Sequence, residues 1–230
     1  MKEKKLQMSE SMILAFFLTL AGGFQDAYSY NCRGEVFANA QTGNIVLLGQ
    51  HLSQGRLDQV IHYLIPVAAF LLGVYVTERI QGKYKNYRKI HWRQIVLIAE
   101  IILMFAVGCL PRTYNVPANA LLSFACAMQV NSFRKFRGMA CATTMCIGNM
   151  RSATAALCQY HQTGDPVMRQ KSLHYFLIIL IFALGAAVGA LFSHILWERA
   201  IWMAAGFLAA GFLLMFIHEE EKDDEKDETE

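Results

Sequence analysis

Long stretches without a charged residue constrain this chain more than any other feature. Residues 11–23, 101–110 and 201–217 carry no charge, and residues 172–197 carry only two histidines among 26 positions. A bilayer core of roughly 30 Å needs about 20 apolar residues in a helix. A soluble domain would instead distribute charge along every element to keep its surface wet. The sequence therefore predicts an all-α integral membrane protein with several crossings.

Six apolar segments are long enough to be transmembrane helices, and two semi-polar segments lie among them. The six predicted spans are approximately residues 10–30, 58–80, 93–111, 117–134, 170–194 and 197–217. Segments 35–52 and 138–160 are too rich in Gly, Thr and Asn for lipid-facing helices. Each semi-polar segment either crosses the membrane as a short or broken helix or re-enters and leaves on one side.

The positions of Lys and Arg favour re-entry. Basic clusters lie at residues 2–5, 79–93, 134–137 and 169–171, and such clusters are enriched in cytoplasmic loops. Six crossings with two re-entrant segments place all four clusters inside, whereas a full crossing by residues 35–52 would put the second cluster outside. The interpretation gives six transmembrane helices with both termini in the cytoplasm.

The chain divides near residue 113 into two halves with the same order of parts. Repeat one covers about 9–112 and repeat two about 113–217, in a single membrane domain of residues 1–230. The acidic residues 218–230 are predicted to form a disordered cytoplasmic tail. Because each half has three crossings, an odd number, the second half is inverted. Many secondary transporters are built from inverted repeats with interrupted helices near the midplane.

Each half contains a polar helix end followed by a Gly-Asn pair. In the first half these are GFQDA at 23–27 and FANAQTGN at 37–44, and the second half has related runs at 127–135 and 143–154. These paired motifs resemble the signature of the YoaK family of bacterial multi-pass membrane proteins, over nearly the whole chain. Many of those relatives have Thr before the second Gly-Asn, where this chain has Ile147, so equivalent binding by the two motifs does not follow. The resemblance implies a bacterial cytoplasmic membrane location and gives no substrate.

We call the polar helix end and the Gly-Asn segment of each half a break: the first break lies within residues 23–44 and the second within residues 127–154. Residues of the two breaks are candidate ligands for a solute. Irregular backbone at membrane depth is tolerated only where it is buried in protein or lines a cavity. An Arg in the first turn of a restarted helix would favour an anion, although it could instead contact a lipid phosphate or a buried acid. The candidate substrate-binding residues are Gln25, Asp26, Thr42, Gly43, Asn44, Gln129, Asn131, Thr144, Gly148, Asn149 and Arg151.

Asp26 and Glu100 are candidate proton-coupling residues. An ionised carboxylate within a membrane segment costs on the order of 2.5–3.5 kcal/mol on insertion scales, so such acids are candidates for function. The structural alternatives are a helix cap or an ion pair with Arg33 for Asp26, and a packed ion pair for Glu100.

The predicted function is a secondary transporter or facilitator of a small polar solute, with an anion as one possibility. The alternative is a membrane scaffold or regulatory partner without transport activity. No enzyme signature is present, and the six cysteines form no CxxC pair, so neither catalysis nor a metal or cofactor is expected. The expected partners are the lipid bilayer and the solute, and no nucleic acid. The small-residue motif from Gly185 to Gly189 packs helices closely, either within the protein or across a homodimer.

Overall fold

The computed structural model describes residues 11–84 and 92–227, with side chains as far as residue 215. As the sequence predicts, the described fold is all-α, apart from one short hairpin of two strands with two residues each. The helices are α1 (Met12–Cys32), α2 (Gln41–Ser53), α3 (Leu57–Tyr84), α4 (Trp92–Cys109), α5 (Asn115–Ser132), α6 (Cys146–Thr163), α7 (Pro166–Leu196) and α8 (Ile201–Asp227). The hairpin pairs β1 (Lys135–Phe136) with β2 (Met139–Ala140).

The helix ends follow local sequence signals. Ser11 caps α1, and its Oγ accepts a hydrogen bond of 3.1 Å from the N–H of Leu14. Helix α6 ends at Gly164, which has φ +70°. Asp165 then caps α7 through the N–H of Val167 at 2.9 Å, and Pro166 occupies the first helical position.

Three helical segments of the described chain are long and apolar enough to cross a membrane: Leu57–Tyr84, Trp92–Cys109 and Pro166–Met215. The third has 50 residues and contains α7 and much of α8. Helices α1 and α5 are absent from this set because polar residues interrupt them, and most of their residues are buried against other helices. The membrane class therefore holds, and the number of six crossings stays a prediction.

The two polar helices occupy the interior. Helix α1 packs against α7 and α8, α5 packs against α3 and α4, and α4 meets α8. The shorter α2 and α6 pack on α3 and α7, respectively. Helix α8 continues to Asp227, into the acidic segment for which the sequence predicts disorder. Residues 228–230 and the basic positions at residues 2–5 and 85–91 lie outside the described residues.

Glycines bring α7 close to α1. A Cβ added to Gly185 would lie 2.2 Å from the carbonyl oxygen of Leu20, and one added to Gly189 would lie 2.7 Å from that of Phe24. These distances are too short for any side chain. The Gly-xxx-Gly motif of α7 therefore packs within the chain, which is one of the two alternatives that the sequence leaves open.

Candidate functional site

The segments before α2 and before α6 both return to the middle of α1. Asn39 donates from Nδ2 to the carbonyl oxygen of Gly22 at 3.0 Å, and its N–H donates to Oδ1 of Asp26 at 2.7 Å. A Cβ built on Gly22 would lie 3.2 Å from the carbonyl oxygen of Thr143. Gly22 precedes the end of α1 at Cys32 by ten residues, a distance of about 15 Å along the helix. Both polar breaks therefore meet deep within the helical bundle.

Asn44 closes the first break through its side-chain amide. Its Oδ1 accepts from the N–H of Phe37 at 3.0 Å, and its Nδ2 donates to the carbonyl oxygen of Phe37 at 2.7 Å. The same Nδ2 also donates to Oε1 of Gln41 at 3.0 Å. Asn44 is fully buried, and both its oxygen and its nitrogen have partners within the protein.

The ring of Phe37 fills the remaining space at the first break. The ring lies 3.0 Å from the position of a Cβ on Gly43 and stacks on Tyr30 with 5.0 Å between ring centroids. Gly43 is therefore covered by an aromatic side chain, and the first break leaves little room for a solute.

The second break is open. Asn149 is 3% exposed and donates from Nδ2 to the carbonyl oxygens of Ala142 at 2.7 Å and Met145 at 2.9 Å. Its Oδ1 accepts no hydrogen bond from any residue that the structure describes. A Cβ on Gly148 would meet nothing within 4 Å. The acceptor of Asn149 is thus available to a solute, which the acceptor of Asn44 is not.

A cavity of about 490 Å³ adjoins Asn149. It is a groove that is widely open to the surface rather than an enclosed pocket, and its walls are mostly apolar with a few polar groups. The cavity lies between α3, α5, α6 and the segment that precedes α6. Its lining residues are Phe70, Val74, Val130, Asn131, Arg134, Ala140, Cys141, Ala142, Met145, Gly148, Asn149 and Ser152.

Arg134 supplies the one basic group in the lining of this cavity, and an acid balances it. Its guanidinium pairs with Glu78 and also bonds the side chain of Asn131. Asn131 in turn donates from Nδ2 to Oε1 of Glu78 at 3.1 Å. The Arg134 and Glu78 side chains are about half exposed, so the pair contributes little to stability. The cavity therefore presents a balanced polar edge rather than an isolated positive charge.

A second polar cluster joins α1, α4 and α5. Nε2 of Gln25 donates to Oε1 of Glu100 at 3.4 Å, and the thiol of Cys126 donates to Oε1 of Gln25 at 2.8 Å. Glu100 is completely buried. Within the described part of the chain, its Oε2 has no hydrogen-bond partner.

Arg33 is fully buried and does not pair with Asp26. It binds the C-terminal end of α4, where Nη2 donates to the carbonyl oxygen of Val107 at 2.7 Å. Its Nε donates to the hydroxyl of Tyr28 at 2.9 Å. Asp26 instead accepts from the backbone N–H of Asn39, in the segment before α2.

The predicted site residues fall into three groups. Asn131, Gly148 and Asn149 line the cavity. Thr42 and Arg151 are exposed and lie outside its lining. The others lie in the interior or at the closed first break: Gln25, Asp26, Gly43, Asn44, Gln129 and Thr144.

Gln129 and Thr144 lie behind the second break. Nε2 of Gln129 donates to the carbonyl oxygen of Leu18 at 3.0 Å and to the hydroxyl of Thr143 at 3.1 Å. Sequence reasoning missed Arg134 and Glu78 as cavity-edge residues. The available signal was the position of Arg134 just after the polar end of α5, within the basic cluster at residues 134–137.

Comparisons with known proteins place the chain among transmembrane proteins. Residues 14–214 match the family described as "Protein of unknown function (DUF1275)". The chain is 26% identical over 188 residues to the UPF0700 transmembrane protein YoaK of Bacillus subtilis (strain 168). The matched region covers 77% of this chain and 82% of that protein. No solved structure matches the chain.

Proposed function

The chain belongs to the DUF1275 family, and on that premise we propose that it is a non-enzymatic carrier of a small polar solute across a bacterial cytoplasmic membrane. The solute binds in the cavity beside Asn149, where an unused amide acceptor and Asn131 face the same space. This cavity is the observation that carries the proposal. Because Glu78 balances Arg134 at the edge, a neutral or zwitterionic solute fits better than a simple anion.

Corresponding contacts support two inverted repeats of six crossings in total. Helix α1 packs on α7 as α5 packs on α3, and α2 packs on α3 as α6 packs on α7. If α1–α4 are exchanged with α5–α8 in order, each of these contacts becomes the other contact of its pair. Helices α4 and α8, which occupy the same place in each half, pack on each other.

Close glycine contacts follow the same exchange. A Cβ added to Gly73 of α3 would lie 2.5 Å from the carbonyl oxygen of Phe124. A Cβ added to Gly185 of α7 would lie 2.2 Å from the carbonyl oxygen of Leu20. Each glycine ends a Phe-x-Leu-Gly sequence, at 70–73 and at 182–185. This repeated tetrapeptide supports the assignment of α3 and α7 to equivalent positions.

The proposed carrier is open on one side only. Re-entry of both breaks to the middle of α1 is consistent with six crossings, and the positive-inside rule then orients the second break towards the cytoplasm. In the two repeats Phe37 and Ala142 are equivalent, since each lies seven residues before the Asn of its break. The aromatic ring closes the outer break and the methyl group leaves the inner one open. The cavity is therefore proposed to face the cytoplasm.

Cysteine accessibility tests this orientation. In a background with the exposed Cys109 and Cys158 replaced by serine, we expect Arg56→Cys to react with an impermeant maleimide added to intact cells. Lys83→Cys and Arg169→Cys should react only after the membrane is permeabilised. All three positions are exposed in the structure. Labelling of Lys83→Cys in intact cells would contradict the six-crossing topology.

A solute screen tests the proposed site. We expect at least one small polar solute to raise the thermal stability of the purified protein, because a ligand that binds only the folded state stabilises it by mass action. Ala142→Phe should abolish that response by placing a ring beside Asn149, as Phe37 places one beside Gly43 at the first break. The matched control is Ala155→Phe, at an exposed position of α6 outside the cavity lining.

Two outcomes of the screen would count against the proposal. One is a solute response that Ala142→Phe leaves unchanged. The other is the absence of any response in the wild type across amino acids, amides, polyols and small carboxylates. The second outcome would favour the scaffold or regulatory alternative.

A further inference from the structure

The cluster around Glu100 is separate from the cavity and has an unusual composition. It lies where α1 and α4 of the first half meet α5 of the second. Glu100 accepts one long hydrogen bond, from Gln25, and its Oε2 has no partner among the described residues. A buried polar atom without a partner is costly, and a charged one is more so. An O–H at Oε2 would remove the charge from this carboxyl.

No cation compensates Glu100 in the described part of the chain. The titratable groups facing this region are Asp26 from α1 and Cys126 from α5, and neither is basic. Residues 201–215 of α8 contain no titratable side chain. From α3, Tyr84 packs beside Trp92, about 12 Å along α4 from Glu100. Beyond the other end of α4, Glu198 pairs with Arg112.

The surroundings of Glu100 fit a proton better than a metal cation. Hard cations require several oxygen ligands. The groups near Glu100 are the side-chain amide of Gln25 and two sulfur atoms, since Gln25 also donates to Met104 Sδ at 3.7 Å. The other nearby oxygens already accept hydrogen bonds, Oε1 of Gln25 from Cys126 and Oδ1 of Asp26 from Asn39. A sodium ion would therefore find few oxygens besides the carboxylate itself.

We propose that Glu100 is a proton-binding site of this protein, occupied while α1, α4 and α5 are packed as observed. Binding forms an O–H bond at Oε2, and release passes the proton to water when the packing around Gln25 loosens. Asp26 has a different role, because its Oδ1 holds the backbone of Asn39 in the first break. Coupling of this proton to a solute rests on the proposed function, whereas proton binding itself does not.

Infrared difference spectroscopy of the purified protein, titrated from acidic to alkaline buffer, tests the proposal without any solute. We expect a carbonyl band from a protonated carboxyl to persist into neutral buffer and to be lost in Glu100→Gln. Glu35→Gln, at an exposed position, should keep the band, and so should Asp26→Asn. If Glu100→Gln does not fold, Gln25→Met keeps Glu100 without its donor and should shift the band to higher frequency.

A band that survives in Glu100→Gln, a band unshifted in Gln25→Met, or no such band at neutral pH in the wild type would overturn the proposal. The result is independent of transport. A Glu100 band without any solute flux would leave the proton site standing and refute the carrier, and flux without the band would do the reverse.

Discussion

Arg33→Met is expected to leave little folded protein. Arg33 is fully buried, and it donates to the carbonyl oxygen of Val107 at 2.7 Å and to the hydroxyl of Tyr28 at 2.9 Å. A cation at the C-terminal end of α4 also interacts favourably with the helix dipole. Methionine fills part of the volume but satisfies neither acceptor, and each unpaired buried group costs about 1–3 kcal/mol. Because the stability of most domains is only about 5–15 kcal/mol, the loss should be severe.

The amount of monodisperse protein that survives heating, measured by fluorescence-detected size-exclusion chromatography, checks this expectation. Arg56→Met removes the same charge at an exposed position and should change the midpoint little. Equal midpoints for the two variants would contradict the structural role of Arg33.

Asn44→Ala is expected to destabilise the protein more than Asn149→Ala. The first change removes the fully buried Asn44 side chain and leaves the N–H and C=O of Phe37 and Oε1 of Gln41 without this partner. The expected cost is about 2–9 kcal/mol, from two or three unpaired groups at about 1–3 kcal/mol each. Asn149→Ala releases two carbonyl oxygens beside a cavity, where water can replace the lost donor.

Thermal or denaturant midpoints in detergent measure this difference, with Asn149→Ala as the matched comparison for Asn44→Ala. For solute binding we expect the opposite order, with Asn149→Ala losing more affinity than Asn44→Ala, since the free acceptor belongs to Asn149. A larger loss of stability in Asn149→Ala would show that the second break is the structural one.

Apolar patterning alone predicts the membrane class and all six spans, including α1 and α5. It does not predict that α1 and α5 are mostly buried against other helices, with Gln25 and Gln129 in the interior. Because of such polar residues, both helices fall outside the segments that are apolar enough to cross a membrane by composition. The same polar residues belong to the motifs of the two breaks, so the sequence showed the motifs but not the buried position of these helices.

The roles of individual charges were less accessible from the sequence. Arg33 suggested a partner for Asp26, a neighbour along the chain, but it binds Val107, which is 74 positions away. Arg151 was expected in the first turn of a helix restarting at Gly148-Asn149. Helix α6 instead begins at Cys146, so Arg151 lies in its second turn, at an exposed position.

The proposed difference between the two breaks rests on the sizes of two side chains at corresponding positions. Phe37 and Ala142 lie at equivalent distances from Asn44 and Asn149, and only the smaller residue leaves space. The spacing was visible in the sequence, but which break would be open required the ring of Phe37 to be placed against Gly43. Small-to-large changes at Ala142 are therefore the most informative perturbation of the proposed site.

Solute flux into proteoliposomes distinguishes a carrier that works through this cavity from a protein without transport activity. Stopped-flow light scattering would follow swelling after mixing with gradients of the solutes that stabilise the purified protein. We expect liposomes with wild type or Ala155→Phe to swell faster than protein-free liposomes. Liposomes with Ala142→Phe should swell at the same rate as protein-free liposomes. Swelling that is no faster than in protein-free liposomes for every such solute, or full activity in Ala142→Phe, would contradict a carrier that works through this cavity.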